Sequence, residues 1–185
     1  PGGACVGSIV NEKEDKIYWM IAHPNDFNIC EAVNIPEQNR NRVATTDIIA
    51  EYDHRTGLTT PVVVDIYTLP TLANPNPPRA LKFSVSKLIT GIDIIDDLLM
   101  WVDGVNPDIT GPPFGTSGTE PKKINITRCK AGSTDFNTHT EFMTDNPWYP
   151  VAGLQYWNGG VGSRPIREIH ITVVKESPKN TPVLE

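Results

Sequence analysis

A chain of 185 residues, 38% hydrophobic and 21% charged, is long enough for one domain and too apolar to be wholly disordered. Its net charge of -6, with basic residues only single or paired, as at Arg40 and Arg42 or Lys122 and Lys123, argues against a sequence-independent grip on nucleic-acid phosphates. No run reaches the ~20 apolar residues of a membrane helix, and 17 prolines and 14 glycines promise many turns and long connections.

The start, Pro1-Gly-Gly-Ala-Cys5, has neither the basic region nor the apolar run of a secretory signal, so a cytoplasmic setting and an extended N-terminal arm are expected. Short apolar or alternating segments then recur between turn residues: Cys5 to Val10, Lys16 to Ala22, Phe27 to Val33, Val43 to Tyr52 and Pro61 to Leu69. Such a series predicts the strands of an antiparallel β-barrel or sandwich rather than βαβ units. Pro70 to Arg79 carries too many prolines to pair within a sheet and reads as a surface crossing. In Leu81 to Ser86 the residues Leu81, Phe83 and Val85 alternate with Lys82, Ser84 and Ser86, the period of a half-buried strand.

Thr90 to Asp103 breaks the pattern. Ile92, Ile95, Leu99 and Val102 recur at helical spacing, with Asp93, Asp96 and Asp97 on the other side. Thr90 followed by Asp93 resembles a capping box and Gly104 can supply the stop, so one helix is expected over about residues 91–103. The alternative is another strand, because Ile92, Ile94 and Ile95 are β-branched. Residues 105–121 then form a long loop of the kind that binds something or orders against a partner. Lys123 to Arg128 and Glu168 to Val173 alternate again, the latter with Ile169, Ile171 and Val173 expected inward. The whole chain, 1–185, reads as a single mostly β domain with one flanking helix.

The residues that carry chemistry are scattered. His23, His54, His139 and His170 lie in four segments with no metal-ligand spacing. Glu51-Tyr-Asp-His54 is the best setting for a carboxylate-oriented imidazole, yet Asp53 to Gly57 also reads as a plain turn, which is the preferred reading. Cys5, Cys30 and Cys129 are widely spaced and read as free thiols, with Cys5 the most exposed. Asp93, Asp96, Asp97 and Asp103 are expected on a solvated face. Gly159 to Gly162 lacks the strand-then-helix setting of a phosphate loop, and Asn125-Ile-Thr127 reads as an accidental sequon. The expectation is therefore no enzyme, no cofactor and no metal site. The aromatics Trp148, Tyr149, Tyr156 and Trp157 suit either a sugar-stacking platform or core packing.

The order Leu81 to Leu88, then Asp93 to Trp101, then Lys123 to Arg128, then Asn146-Pro-Trp-Tyr-Pro150 and Ile166 to Glu176 resembles the tail-tube proteins of contractile phages and the inner-tube (Hcp-like) proteins of injection and secretion systems. The resemblance covers roughly half the chain and is one of order and pattern, without a diagnostic motif. The loop 105–121 is longer than that family's, and the first half has no clear counterpart. The resemblance implies a homo-oligomer: a ring, hexameric in that family, stacking into a tube, with DNA only as passing cargo, other tail or virion proteins as partners, no membrane, and a virion assembled in the host cytoplasm. Val105, Asp108, Phe114, Lys122, Pro70 and Asn74 are the expected subunit contacts. A capsid-decorating, neck or fibre protein, a carbohydrate-binding β-sandwich, and a hydrolase or metal enzyme built around His54 or His139 are the rival expectations.

Overall fold

The computed structural model describes residues 3–23, 44–68, 79–103, 121–143 and 163–173. Within them the chain is mostly antiparallel β. The strands are β1 (Ala4–Asn11), β2 (Lys16–Ala22), β3 (Ala44–Asp53), β4 (Leu58–Thr68), β5 (Gly91–Ile95), β6 (Leu98–Val102), β7 (Lys122–Asn125), β8 (Glu141–Met143) and β9 (Ser163–Pro165), with two short helices, α1 (Ile126–Ala131) and α2 (Glu168–Ile171). A four-stranded sheet runs β1-β2-β3-β4, a three-stranded sheet β5-β6-β7 and a two-stranded sheet β8-β9. Among the described residues these sheets do not close into a barrel. The strand expected from Cys5 to Val10 is β1, an edge strand docked on β2 from Ala4 to Asn11.

The turn between β3 and β4 follows from a side chain that bonds its own backbone. Between β3 and β4, Asp53 Oδ1 accepts the amides of Arg55 at 2.8 Å and Thr56 at 3.2 Å, and Gly57 takes a φ of 69°, as the turn reading of this segment required. His54 lies exposed in that turn. One core joins the large sheet to the small one: Val6, Tyr18, Met20, Ile49 and Val63 pack with Leu99, Trp101, Ile124 and Ile126. The sheets approach closely at Gly7, where an added Cβ would lie 2.9 Å from Ile92 Cδ1.

The helix expected over 91–103 is a hairpin. Ile95 pairs with Leu98, leaving Asp96 and Asp97 as the turn, and Asp96 adopts a φ of 52°, which a short polar side chain tolerates. A helix would bury Ile95 and Val102 together with Leu99; the structure leaves Ile95 and Val102 54% and 40% exposed and buries Trp101 beside Leu99. The β-branched run Ile92, Ile94, Ile95 favours extended backbone, and period two lets Ile94 and Ile92 pack on the core with Leu99 and Trp101.

Three expected strands also change. Leu81 to Ser86 alternates as foreseen at Leu81 and Phe83, both buried, but it joins no ladder. Lys123 to Arg128 is a strand only to Asn125, because Asn125 Oδ1 accepts the Arg128 amide at 2.8 Å and starts α1. Asp97 Oδ1 adds bonds to the Thr127 amide at 3.2 Å and hydroxyl at 3.0 Å, so the hairpin turn helps hold the helix start. Glu168 to Val173 winds into α2, where the Thr172 amide and hydroxyl both donate to Glu168 O, at 3.0 and 2.9 Å. Only Ile171 of its three apolar residues is buried; Ile169 and Val173 face outward. The segments 27–33 and 69–78 lie outside the described residues.

The hairpin makes a distinguishing prediction. Asp96→Gly leaves stability unchanged or raises it, because glycine adopts positive φ freely, whereas Asp96→Val lowers it by about 1–2 kcal/mol. Urea unfolding followed by Trp fluorescence measures both. A helix at this position would instead be almost unchanged by Asp96→Val and would lose only about 0.3 kcal/mol on Asp96→Gly.

Candidate functional site

Among the described residues, side chains that could carry chemistry gather in a buried carboxylate cluster, a buried ion pair and a shallow cleft. A fourth feature, the outer face of the small sheet, carries no chemistry but is apolar and open.

The carboxylate cluster sits on the large sheet. Asp47 of β3 and Asp65 of β4 are direct cross-strand partners, and both are buried. Each holds the backbone of residues 79–83. Asp65 Oδ2 accepts the amides of Ala80 at 3.0 Å and Leu81 at 2.7 Å, while Asp47 Oδ2 accepts the amide of Phe83 at 3.0 Å and Asp47 Oδ1 that of His23 at 3.0 Å. Leu81 to Ser86 therefore needs no ladder partner here. Its first amides are satisfied by carboxylates.

Two like charges face each other there, and Arg79 supplies a compensating cation, with Nη2 3.9 Å from Asp47 Oδ2 and the guanidinium 4.6 Å above the Tyr67 ring. Burial pushes Asp65 up to about 7, with Arg79 opposing and Asp47 adding to the rise; burial also raises Asp47. Among the described residues Asp65 Oδ1 accepts no hydrogen bond, and it lies 3.6 Å from His139 Nδ1.

That contact joins an imidazole to a buried carboxylate, the arrangement that would signal acid–base chemistry. The ring's own bonds assign it otherwise. Its Nδ1 accepts the Ile66 amide at 3.0 Å, so Nε2 carries the proton and donates to Ile166 O at 3.0 Å. Burial holds the His139 pKa below its usual value. Beside it, Thr140 Oγ1 accepts the Val64 amide at 2.7 Å and the Thr140 amide donates to Val64 O at 2.9 Å. His139 and Thr140 thus cover the β4 edge in place of a fifth strand. Gly132, whose Cβ would lie 1.9 Å from Glu141 O, lets this segment pass.

The ion pair is Lys122 with Asp103. Lys122 Nζ lies 2.7 and 2.6 Å from the two carboxylate oxygens, and the lysine is 1% exposed. Glu168 extends the group, its Oε1 3.6 Å from Lys122 Nζ and its Oε2 2.8 Å from Lys82 Nζ. Asp103, expected on a solvated face, is buried because the hairpin delivers it beside β7. Lys122, expected as a subunit contact, spends its charge inside its own chain. The other expected contacts, Val105, Asp108, Phe114, Pro70 and Asn74, lie outside the described residues, as do Trp148, Tyr149, Tyr156, Trp157, Cys30 and Gly159 to Gly162.

The cleft, of about 270 Å³, is walled by Leu98, Ile124, Phe142, Ile166 and Ile171, with Cys129 and His170 on its lining. Its thiol and imidazole do not make a nucleophile and base. Burial pushes the Cys129 thiol up to about 12, and His170 Nδ1 accepts the Arg167 amide at 3.1 Å while its ring stacks on Phe142 at 4.6 Å. Cys5 is exposed and free. Among the described residues no group of three His, Cys, Asp or Glu side chains converges to hold a metal, and no helix is long and apolar enough to cross a membrane.

The outer face of the small sheet adjoins this cleft, whose lining includes its Leu98, Lys123 and Asn125. Cross-strand pairing puts Ile95, Leu98, Met100 and Val102 on one side, together with Asp93, Lys123 and Asn125. Ile95, Leu98 and Val102 are exposed, and among the described residues β5 has a hydrogen-bonded neighbour on one side only. The helical reading hid this face by assigning Ile95 and Val102 to the core. The carboxylate clamp on residues 79–83 was missed as well, although its signal was present: Asp47 and Asp65 each interrupt a strongly apolar or β-branched run.

Two outcomes follow. Lys122→Ala leaves Asp103 buried without its cation and lowers unfolding free energy by about 3–5 kcal/mol, read from urea midpoints. A raised Asp65 pKa means that the folded chain holds a proton the unfolded chain has lost, so this group's contribution is full below about pH 4 and is lost as pH rises through about 7. Asp65→Asn keeps an oxygen for Ala80 and Leu81 and cannot ionise. Its stability relative to the parent therefore increases by more than about 1 kcal/mol between pH 4.5 and pH 7.5; a difference independent of pH contradicts the clamp's protonation.

No protein-family model, curated protein sequence or solved structure matches the chain.

Proposed function

We propose that this protein is a structural, non-enzymatic subunit that works by assembling with other chains. The observation that carries the reading is the outward apolar face of the β5-β6-β7 sheet, Ile95, Leu98, Met100 and Val102. Apolar side chains grouped on one exposed sheet face, rather than scattered singly, suit contact with another chain. The described polar clusters support the same reading, because Asp47, Asp65, His139 and Thr140 bond backbone amides that the fold needs satisfied.

The concrete form is a subunit of a virion or injection machine, with rings stacked into a tube as its narrowest version. The hairpin over Gly91–Val102 removes the helix on which the tube resemblance leaned, so that version now rests on the antiparallel β content and the open face. A capsid-decorating, neck or fibre protein uses the same features in a different lattice.

Negative-stain electron microscopy and light scattering of the purified protein at high concentration test the proposal. Rings, tubes or a concentration-dependent lattice are expected. A monodisperse monomer at every concentration, with no binding to other virion components, overturns it.

A further inference from the structure

The face that carries the proposed function also carries a charge pattern that selects its partner. Asp93, Met100 and Lys123 form one cross-strand row: Asp93 is opposite Met100 on β5 and β6, and Met100 is opposite Lys123 on β6 and β7. Asp93 and Lys123 are exposed. Strands lie about 4.8 Å apart, so the acid and the base flank Met100 at roughly equal distances and are about 10 Å from each other, too far to pair within one sheet.

We propose that this face docks a second copy of the same chain, sheet on sheet, about a two-fold axis running along β6 above Met100. Such an axis exchanges the two sides of the row. Asp93 of one copy then lies over Lys123 of the other, and Lys123 over Asp93. Leu98, Met100 and Val102, all on the axis strand, meet their own counterparts in an apolar seam. The contact is isologous, and the strands of the two sheets run nearly parallel, as in aligned sheet packing. A two-fold axis across the strands would set Asp93 over Asp93, so the charges specify the orientation as well as the partner.

The size of the face decides how strong the contact is. Three strands of about 17 Å at 4.8 Å spacing present roughly 250 Å², against about 800 Å² per partner in a stable complex. The pair is therefore weak in isolation and gains strength where many copies are held together. This inference rests on the structural-subunit reading and supplies it with one named contact.

Charge exchange at exposed positions tests it without touching the core. Sedimentation equilibrium of the full chain, up to millimolar concentration, is run on the parent, Asp93→Lys, Lys123→Glu and the double variant. The parent self-associates, and each single reversal, which sets like charges face to face, weakens association at least about tenfold. The double variant recovers the parent's association. So does an equimolar mixture of the two single variants, because the introduced lysine of one then meets the introduced glutamate of the other. Single variants that associate as the parent does, or a mixture no stronger than its components, overturn the contact. If rings or lattices persist in every variant, another surface joins the copies and the structural-subunit reading stands. A parent that stays monomeric and forms no assembly removes both.

Discussion

Two carboxylates facing each other across β3 and β4 organise this fold. A buried acidic pair is costly, since burial disfavours both charges and each disfavours the other. Asp47 and Asp65 are retained because the segment 79–83 crosses the sheet without a strand beside it, and its amides need acceptors. Arg79, from the same segment, brings the cation that reduces the repulsion. The crossing chain thus supplies both the donors and part of the charge balance. It then runs on to Ile89, whose amide donates to Val6 O at 2.7 Å and ties the small sheet's approach to the edge of the large one.

The same solution recurs elsewhere in the molecule. Where a ladder would be expected, a side chain or a short local bond replaces it. His139 and Thr140 take the β4 amides, Asn125 and Asp97 take those at the start of α1, and Thr172 closes α2 on Glu168. The β4 edge of the large sheet is thereby covered by irregular backbone, which limits uncontrolled strand addition there. Among the described residues the small sheet keeps one uncovered face. Its inner side is consumed by Leu99, Trp101 and Ile124, and its outer side keeps an apolar ridge between an acidic and a basic flank. A core whose carboxylates and imidazole bond backbone, beside a surface of uncovered apolar side chains, fits the proposed recognition of another chain.

Much of the β architecture was legible in the residues. β1 to β4 lie close to the expected segments, since Lys16 to Ala22 and Val43 to Tyr52 combine β-branched and aromatic residues with clear turns between them. The Asp53 to Gly57 turn was readable because Asp and Gly act locally there, through a side-chain bond and a positive φ. The 91–103 segment was misread because Ile92, Ile95, Leu99 and Val102 satisfy a helical period while Ile92, Ile94, Leu99 and Trp101 satisfy a strand period broken by a turn. Periodicity alone does not separate the two. The Asp96-Asp97 pair at the middle decides it, and its role is visible only when the two halves pair.

By itself the sequence determined an antiparallel β domain rich in turns, with acidic balance and no metal-ligand spacing, because these depend on composition and on neighbours within a few residues. Tertiary structure decided where the charges go. Asp47 and Asp65 are 18 positions apart and Lys122 and Asp103 are 19 apart, so their meeting depends on strand register and chain crossing rather than on local pattern. It also decided which apolar side chains face water: in a strand a shift of one residue moves every side chain to the other face. Pairing with β7 placed Leu99 and Trp101 inside and left Leu98, Met100 and Val102 as the surface available to a partner.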